Sequence, residues 1–169
     1  MTSHLHWRSV ASATLQIAVL GALALAFFMR TPQVSGLSMS PHIASGEYVL
    51  INTVAYRIGR PERSEIVAFR HDSSAPEVYL KRIIGLPGDR IRIVRGSVII
   101  NGKVLAEPYV RFHDDRSFGL VVVPANSLYV LGDNRVNSDD SRFWGFVPQD
   151  QLIGQALAGI WPLRRLGSL

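Results

Sequence analysis

The sequence predicts a mostly β fold with one apolar helix at its N-terminus. From Gly46 onward, short apolar runs alternate with turn-forming Gly, Pro, Asn and Asp residues, which is typical of short strands joined by tight turns. No apolar pattern with the period of a helix occurs after residue 36. Before that residue, the chain holds one long uncharged stretch.

That stretch runs from Val10 to Met29. About 20 helical residues span roughly 30 Å, the thickness of the hydrocarbon core of a bilayer. We therefore expect a transmembrane helix over residues 10–29, a short disordered head over residues 1–9, and a folded domain over residues 30–169. The alternative is a cleaved signal peptide, because alanines alternate with larger residues between positions 22 and 26.

Apolar alternation and turn residues locate the strands of the folded domain. Asn101-Gly102 suits a type I′ turn and predicts a hairpin around it. The stretch Leu86-Pro-Gly-Asp89 is expected to be a turn. The strands expected from these patterns are residues 47–54, 64–69, 78–85, 90–95, 97–100, 103–105, 120–123, 128–131, 146–148 and 152–161.

Composition excludes several kinds of chemistry. The chain has no cysteine, which rules out disulfides and a thiolate nucleophile. The formal net charge of +5 suits anionic lipid headgroups, but no basic block is interleaved with aromatic residues, so nucleic-acid binding is not expected. His4 and His6 form only an isolated pair on the head. We expect no metal and no other cofactor.

Ser38 is the candidate nucleophile, in the stretch Gly36-Leu-Ser-Met-Ser-Pro41 that opens the folded domain. A hydroxyl is a poor nucleophile until a base removes its proton. The only lysines are Lys81, inside an apolar strand, and Lys103, just past the hairpin turn, where it is expected to be solvated. Burial of Lys81 would favour its neutral amine, so the sequence predicts a serine–lysine dyad of Ser38 and Lys81.

The required change in pKa is large. An unperturbed lysine has a pKa of about 10.4 and is only roughly 0.04% neutral at pH 7. Burial among apolar side chains can lower this pKa by up to about 3–5 units. His42, close to Ser38 in the sequence, is the alternative base.

The stretch from Gly132 to Gly145 is rich in Asp, Asn and Ser, which is the usual composition of a surface turn. Two arginines and two aromatic residues in the same stretch indicate instead a loop that folds back on the domain. We expect Asp133, Asp140 and Arg142 to form a charged brace around the site.

Three motifs follow one another in the chain: Ser35-Gly-Leu-Ser-Met-Ser-Pro41, Tyr79-Leu-Lys-Arg-Ile-Ile-Gly-Leu-Pro-Gly-Asp89 and Gly132-Asp-Asn-Arg-Val-Asn-Ser-Asp-Asp-Ser-Arg-Phe-Trp-Gly145. In order and spacing they closely resemble the bacterial type I signal (leader) peptidases, over nearly all of residues 34–161. The resemblance implies a compact catalytic domain of coiled β-sheet on the outer face of the cytoplasmic membrane. It also implies cleavage of secretory precursors after small residues at the −3 and −1 positions.

By this resemblance Ser38 is the acylating nucleophile and Lys81 is the general base. The backbone N–H of Ser38, in the region of Gly36, would form the oxyanion hole. The supporting residues would be Ser138, which orients the lysine amine through a hydrogen bond, Asp140 and Arg142, which form a salt bridge, and Asp133, which supports the loop.

Several features depart from the family. Some relatives place a serine hydroxyl in the oxyanion hole at the position of Gly36, and the usual Pro-Thr-Leu is here Pro41-His42-Ile43. Only about 50 residues separate Lys81 from Gly132, which leaves no room for the large β insert of some relatives. The chain is therefore expected to be a minimal form with one membrane span, where the family often has two.

Three other functions stay open from the sequence. A specialised peptidase of the same superfamily would mature pilin or conjugative-transfer proteins with the same dyad. A self-cleaving regulator of the repressor type shares serine–lysine chemistry, although this chain has no recognisable DNA-binding segment. A membrane-anchored binding module without activity is the third, and cleavage of a precursor carrying Ala-x-Ala would exclude it.

Overall fold

The computed structural model describes residues 3–71, 77–161 and 167–168. In chain order the helices are α1 (Ser3–Phe27), α2 (Ala55–Ile58) and α3 (Ser141–Trp144). The strands are β1 (Met29–Arg30), β2 (Tyr48–Asn52), β3 (Ile66–Phe69), β4 (Tyr79–Gly85), β5 (Arg90–Val94), β6 (Ser97–Ile100), β7 (Lys103–Val104), β8 (Phe118–Val122), β9 (Ser127–Leu131), β10 (Val147–Pro148), β11 (Leu152–Trp161) and β12 (Gly167–Ser168).

Helix α1 is longer than the sequence predicted, because residues 3–9 are helical and not a disordered head. Within the residues that the structure describes, no helix is both long enough and apolar enough to cross a membrane. The transmembrane helix expected over residues 10–29 therefore stays a prediction.

The strands form two antiparallel sheets, which confirms the mostly β prediction. The larger sheet has the order β1-β2-β11-β3-β4-β9-β10, with β12 paired to β11. The smaller sheet has the order β7-β6-β5-β8. Strands β3 and β4 lie inside the larger sheet, and all four residues of β3 are buried, which explains their unbroken apolar sequence.

The smaller sheet shows the alternation that the sequence predicted. In β5, Arg90 and Arg92 are exposed while Ile91 and Ile93 are buried. The hairpin between β6 and β7 turns at Asn101 (φ 51°) and Gly102 (φ 83°), the two positive φ angles that a type I′ turn requires. The expected strand over residues 120–123 begins earlier, at Phe118, and the strand expected to run to residue 54 ends at Asn52, whose side chain accepts a hydrogen bond from Val54 N–H.

A buried cluster fixes the segment that follows α1 against the larger sheet. Met39 and Ile43 pack with Val49, Ile51 and residues of the central strands, and both are almost completely inaccessible to solvent. Burial of such side chains contributes about 1.5–3 kcal/mol each to stability. The residues around position 38 are therefore held on the sheet and do not form a free loop.

Gly154 should be required for the pairing of β11 with β2. A Cβ on Gly154 would collide with the backbone carbonyl of Asn52, and backbone cannot move aside as a flexible side chain can. We expect Gly154→Ala to lower the free energy of unfolding by about 1–3 kcal/mol, measured by urea denaturation in detergent. Gly119→Ala, at a strand glycine with open space around it, is the control and should change it by less than about 0.5 kcal/mol. Equal losses in both variants would contradict this account.

Candidate active site

Ser38 lies in a tight turn whose backbone is fixed from two sides. Ser40 N–H donates to Leu37 C=O (3.0 Å), and Ile43 N–H donates to Met39 C=O (2.9 Å). The carbonyl of Ser38 accepts a hydrogen bond of 2.9 Å from the N–H of Asn134. The turn is thus joined directly to the loop that the sequence predicted to fold back on the domain.

Lys81 lies in the middle of β4, where it pairs with Val67 of β3, and only 3% of it is exposed. Desolvation by burial lowers the pKa of Lys81 to about 8, although the carboxylates of Asp140 and Asp139 act in the opposite direction. At this pKa about a tenth of the amine is neutral at pH 7. Lys103 is exposed, as expected.

Ser38 and Lys81 lie in the wall of the same cavity, which has a volume of about 290 Å³. The cavity lies between two chain segments, one preceding Ser38 and the other preceding Lys81. Its lining consists of Pro32, Gln33, Val34, Ser35, Gly36, Ser38, Met39, Glu77, Val78, Tyr79, Leu80 and Lys81. The two residues that the sequence predicted as a dyad therefore line one space.

The alternative base, His42, is not in that lining. Its Nδ1 lies 3.6 Å from Asp133 Oδ2. In the described structure His42 thus borders a buried carboxylate and does not face the cavity.

Ser138 is buried against Gly132, and its hydroxyl has no hydrogen-bond partner among the described residues. The hydrogen bond to Lys81 that the resemblance implied is therefore not formed in this structure. Ser138 packs tightly on the loop, because a Cβ on Gly132 would collide with Ser138 Oγ and lie 2.5 Å from Ser38 C=O. Only a glycine at position 132 leaves room beside it for both the Ser38 carbonyl and the Ser138 hydroxyl.

The region expected to form the oxyanion hole has an uncommon backbone conformation. Gly36 has a φ of 109°, a region that residues with a side chain rarely adopt, and its N–H donates to Ser45 Oγ at 3.4 Å. The N–H of Ser38 makes no hydrogen bond to any residue that the structure describes. This N–H is therefore free to donate to a ligand in the cavity.

Asp140 and Arg142 form the expected ion pair, with Arg142 Nε 2.8 Å from Asp140 Oδ1. Asp140 also caps α3 by accepting a hydrogen bond from Arg142 N–H, and it accepts one of 3.0 Å from Gly132 N–H. Arg142 also forms an ion pair with Asp114, in which Nη1 lies 2.7 Å from Oδ2. The sequence analysis missed this partner. Asp114 lies in a polar loop far from Arg142 in the sequence, and local sequence patterns do not predict such a contact.

Asp133 does not join that ion pair, which corrects the prediction of one brace made of three residues. Its two carboxylate oxygens accept hydrogen bonds of 2.8 and 2.7 Å from Nε and Nη2 of Arg82. Successive residues of a strand point to opposite faces, so Arg82 lies away from Lys81 although the two are adjacent in sequence. Two separate buried ion pairs therefore support the loop.

Comparison with known proteins identifies a family for this chain. The family model described as "Signal peptidase, peptidase S26" matches residues 7–161. A probable signal peptidase I-2 of Synechocystis sp. is 39% identical over 92% of this chain and 74% of its own length, and a signal peptidase I of Leptolyngbya laminosa is 37% identical over 92% of this chain and 81% of its own. The crystal structure of a signal peptidase I from Enterococcus faecalis aligns with a TM-score of 0.50 and 34% identity, over 58% of this chain and 97% of that one.

These matches place the chain among the peptidases. The chain is a member of the signal peptidase family, peptidase S26, which confirms the resemblance found in the sequence.

Burial of the Lys81 amine should make stability depend on pH. The native pKa of about 8 lies below the ordinary value of 10.5, so below pH 8 the folded protein carries a poorly hydrated ammonium group. Lys81→Met should then raise the free energy of unfolding at pH 6.5 by an amount on the order of 3 kcal/mol. Between pH 8 and 10.5 the unfolded chain binds more protons than the native one, so the wild type gains stability and the difference should disappear.

Urea denaturation of both proteins between pH 6.5 and 10.5 measures this effect. The control is Lys103→Met, which removes an exposed lysine and keeps Lys81, so its difference from the wild type in the free energy of unfolding should not depend on pH in this range. A gain for Lys81→Met that stays constant over the whole range would show that the amine is not desolvated.

Proposed function

We propose that this chain is a signal peptidase I, a serine endopeptidase in which Ser38 and Lys81 form the catalytic dyad. One observation carries the proposal: the two residues share the wall of one cavity, where burial lowers the pKa of the lysine to about 8. A general base is most effective when its pKa lies near the working pH. Family membership agrees with this reaction class.

In the proposed reaction the neutral Lys81 amine takes the proton of Ser38 Oγ, which attacks the carbonyl carbon of the scissile peptide bond. The tetrahedral oxyanion accepts a hydrogen bond from the N–H of Ser38, and each such donor is worth about 3–4 kcal/mol. The Lys81 ammonium then gives its proton to the leaving amine, which departs and leaves an acyl-enzyme. Finally the neutral Lys81 takes a proton from a water molecule, whose oxygen attacks the ester carbonyl. The ester bond to Ser38 breaks, the carboxyl product leaves, and the Lys81 ammonium returns the proton to Ser38 Oγ.

Ser138 is proposed as the residue that orients the Lys81 amine. Its hydroxyl is buried and unpaired among the described residues, and a buried polar group without a partner is unfavourable by about 1–3 kcal/mol. A small movement of the lysine side chain on binding substrate would satisfy that hydroxyl. The Asp140–Arg142 and Asp133–Arg82 pairs keep the surrounding loop in place.

The proposed substrates are secretory precursors with small residues at the −3 and −1 positions. The cavity runs between the segments 32–36 and 77–80, so an extended peptide could add as a strand between them. Small side-chain pockets beside Ser38 would then select the two small residues.

We further propose that α1 anchors the chain in the cytoplasmic membrane, with the catalytic domain on the outer face. The support is the sequence of α1, which carries no charge from Val10 to its end at Phe27. The cavity residues begin at Pro32, only a few residues beyond the helix. A cleavage site so placed would meet substrates at the membrane surface.

Cleavage of a purified precursor tests the reaction. The full chain in detergent is incubated with a precursor carrying Ala-x-Ala before the cleavage point, and mass spectrometry should find a single cut after the second alanine. Ser38→Ala and Lys81→Ala should each lower kcat/KM by at least about 10³-fold, since the members of a dyad act as one unit. Ser97→Ala and Lys103→Ala, at exposed positions of the smaller sheet, are the matched controls and should retain most of the activity.

The pH dependence separates a general base from a structural role of Lys81. The kcat/KM of the wild type should rise about tenfold per pH unit below the lysine pKa of about 8 and then level off. A profile that stays flat from pH 6 to 9 would reject Lys81 as the base.

Precursors of secreted, pilin and conjugative-transfer proteins, assayed side by side at the pH optimum, would distinguish general from specialised processing.

Charge substitutions in α1 test the anchor. Ile17→Arg combined with Leu20→Arg should make insertion less favourable by about 5–7 kcal/mol and release the chain from membranes washed with alkaline carbonate. Ile58→Arg combined with Val104→Arg, at two exposed apolar positions outside α1, is the control and should leave the chain in the pellet. Release of the wild type by the same wash would argue against a spanning helix.

A further inference from the structure

A second cavity, of about 300 Å³, lies at the end of α1 and is lined by three arginines. Arg30 comes from β1, Arg57 from the last turn of α2, and Arg70 from the residue after β3. Its remaining lining is Thr53, Tyr56, Gln149, Leu152 and Ile153, which includes no carboxylate. Three segments of the chain thus bring positive charge to one space.

The three arginines differ from those that brace the fold. Arg63, Arg82, Arg116, Arg135 and Arg142 each form an ion pair with a carboxylate. Among the described residues, Arg30, Arg57 and Arg70 form no ion pair and no side-chain hydrogen bond. Guanidinium groups match the oxygen geometry of a phosphate and bind it through two parallel hydrogen bonds. A phosphate in this cavity would give all three a partner.

The cavity adjoins an apolar one of about 350 Å³, with which it shares Arg30, Arg70 and Ile153. Pro32, Ile51 and Val78 complete most of the apolar wall. A cationic space beside an apolar one matches an amphiphile, in which a phosphate lies next to hydrocarbon. A soluble phosphate ester would leave the apolar part without a partner.

The position relative to α1 agrees with such a ligand. Thr53 lines the arginine cavity, and both its N–H (3.0 Å) and its hydroxyl (2.8 Å) donate to the carbonyl of Phe28, one residue after α1 ends. If α1 spans the bilayer, this point lies at the depth of the headgroups. Pro32 and Val78 also line the cavity that holds Ser38 and Lys81, so the three spaces adjoin one another.

We infer that the cavity lined by Arg30, Arg57 and Arg70 binds the phosphate of an anionic phospholipid, whose glycerol and first acyl carbons enter the adjoining apolar cavity. The phosphate chemistry follows from the three arginines alone, whereas the lipid as its source rests on the membrane attachment proposed above. The bound lipid would fix the orientation of the catalytic cavity relative to the membrane surface.

Native mass spectrometry of the full chain tests this inference without relying on cleavage. The protein is released from detergent micelles that contain equal amounts of phosphatidylglycerol and phosphatidylcholine. We expect the first bound lipid to be phosphatidylglycerol, with a preference of about fivefold or more. Substitution of all three residues, Arg30→Gln, Arg57→Gln and Arg70→Gln, should reduce the preference to about one.

The control variant combines Arg60→Gln, Arg95→Gln and Arg111→Gln, which removes the same charge from exposed positions outside both cavities. It should keep the preference of the wild type, and thermal unfolding should show that both triple variants fold. An equal loss in the two variants would mean that only net charge attracts the lipid, and no loss in either would mean that the cavity is not the site. Both results overturn the inference.

Glycerol 3-phosphate, which has the phosphate without acyl chains, distinguishes the source. It should bind at least about tenfold more weakly than phosphatidylglycerol, and equal affinity would overturn the lipid assignment. The protein enters mixed micelles whether or not α1 spans a bilayer. The carbonate wash therefore tests only the anchor, and the lipid preference in micelles tests only this site. Cleavage of the precursor by the arginine variants in detergent should continue, which separates this site from the proposed reaction.

Discussion

The site depends on keeping the Lys81 amine out of water. Its strand lies between β3 and β9 in the larger sheet, and the lysine is almost completely buried. The nearby carboxylates of Asp140 and Asp139 favour the charged amine and oppose this effect. Arg142 pairs with Asp140, and its positive charge lowers the pKa of Lys81. The Asp140–Arg142 pair thus both braces the loop and leaves burial as the dominant influence on the lysine.

Gly132 connects the ion pairs that brace the loop to the turn that carries Ser38. Its N–H donates to Asp140, its C=O accepts from Arg135 Nε, and its missing side chain leaves space for Ser138 and the carbonyl of Ser38. The next residue, Asp133, is fixed by Arg82 of β4. Because side chains alternate along β4, Lys81 points toward the cavity and Arg82 toward the loop that contains Asp133. One strand therefore supplies both the buried amine and the arginine that fixes the loop.

The sequence was sufficient for features that depend on local patterns. Alternation in β5 and the Asn101-Gly102 turn predicted the smaller sheet, and the unequal surroundings of the two lysines identified the buried one. It was not sufficient for partners far apart in the chain. The pairing of Arg142 with Asp114, and of Asp133 with Arg82, depends on how the loop packs across the sheets, and any arginine within reach would have satisfied the same carboxylate.

The backbone at Gly36 gives a physical reason for one departure from the family pattern. With a φ of 109°, this position is strained for any residue that has a side chain, whatever space lies around it. A serine hydroxyl could therefore enter an oxyanion hole from here only if the turn before Ser38 adopted another conformation. In the proposed mechanism the turn instead keeps this conformation and leaves the N–H of Ser38 without a protein partner, so stabilisation of the oxyanion comes from the backbone.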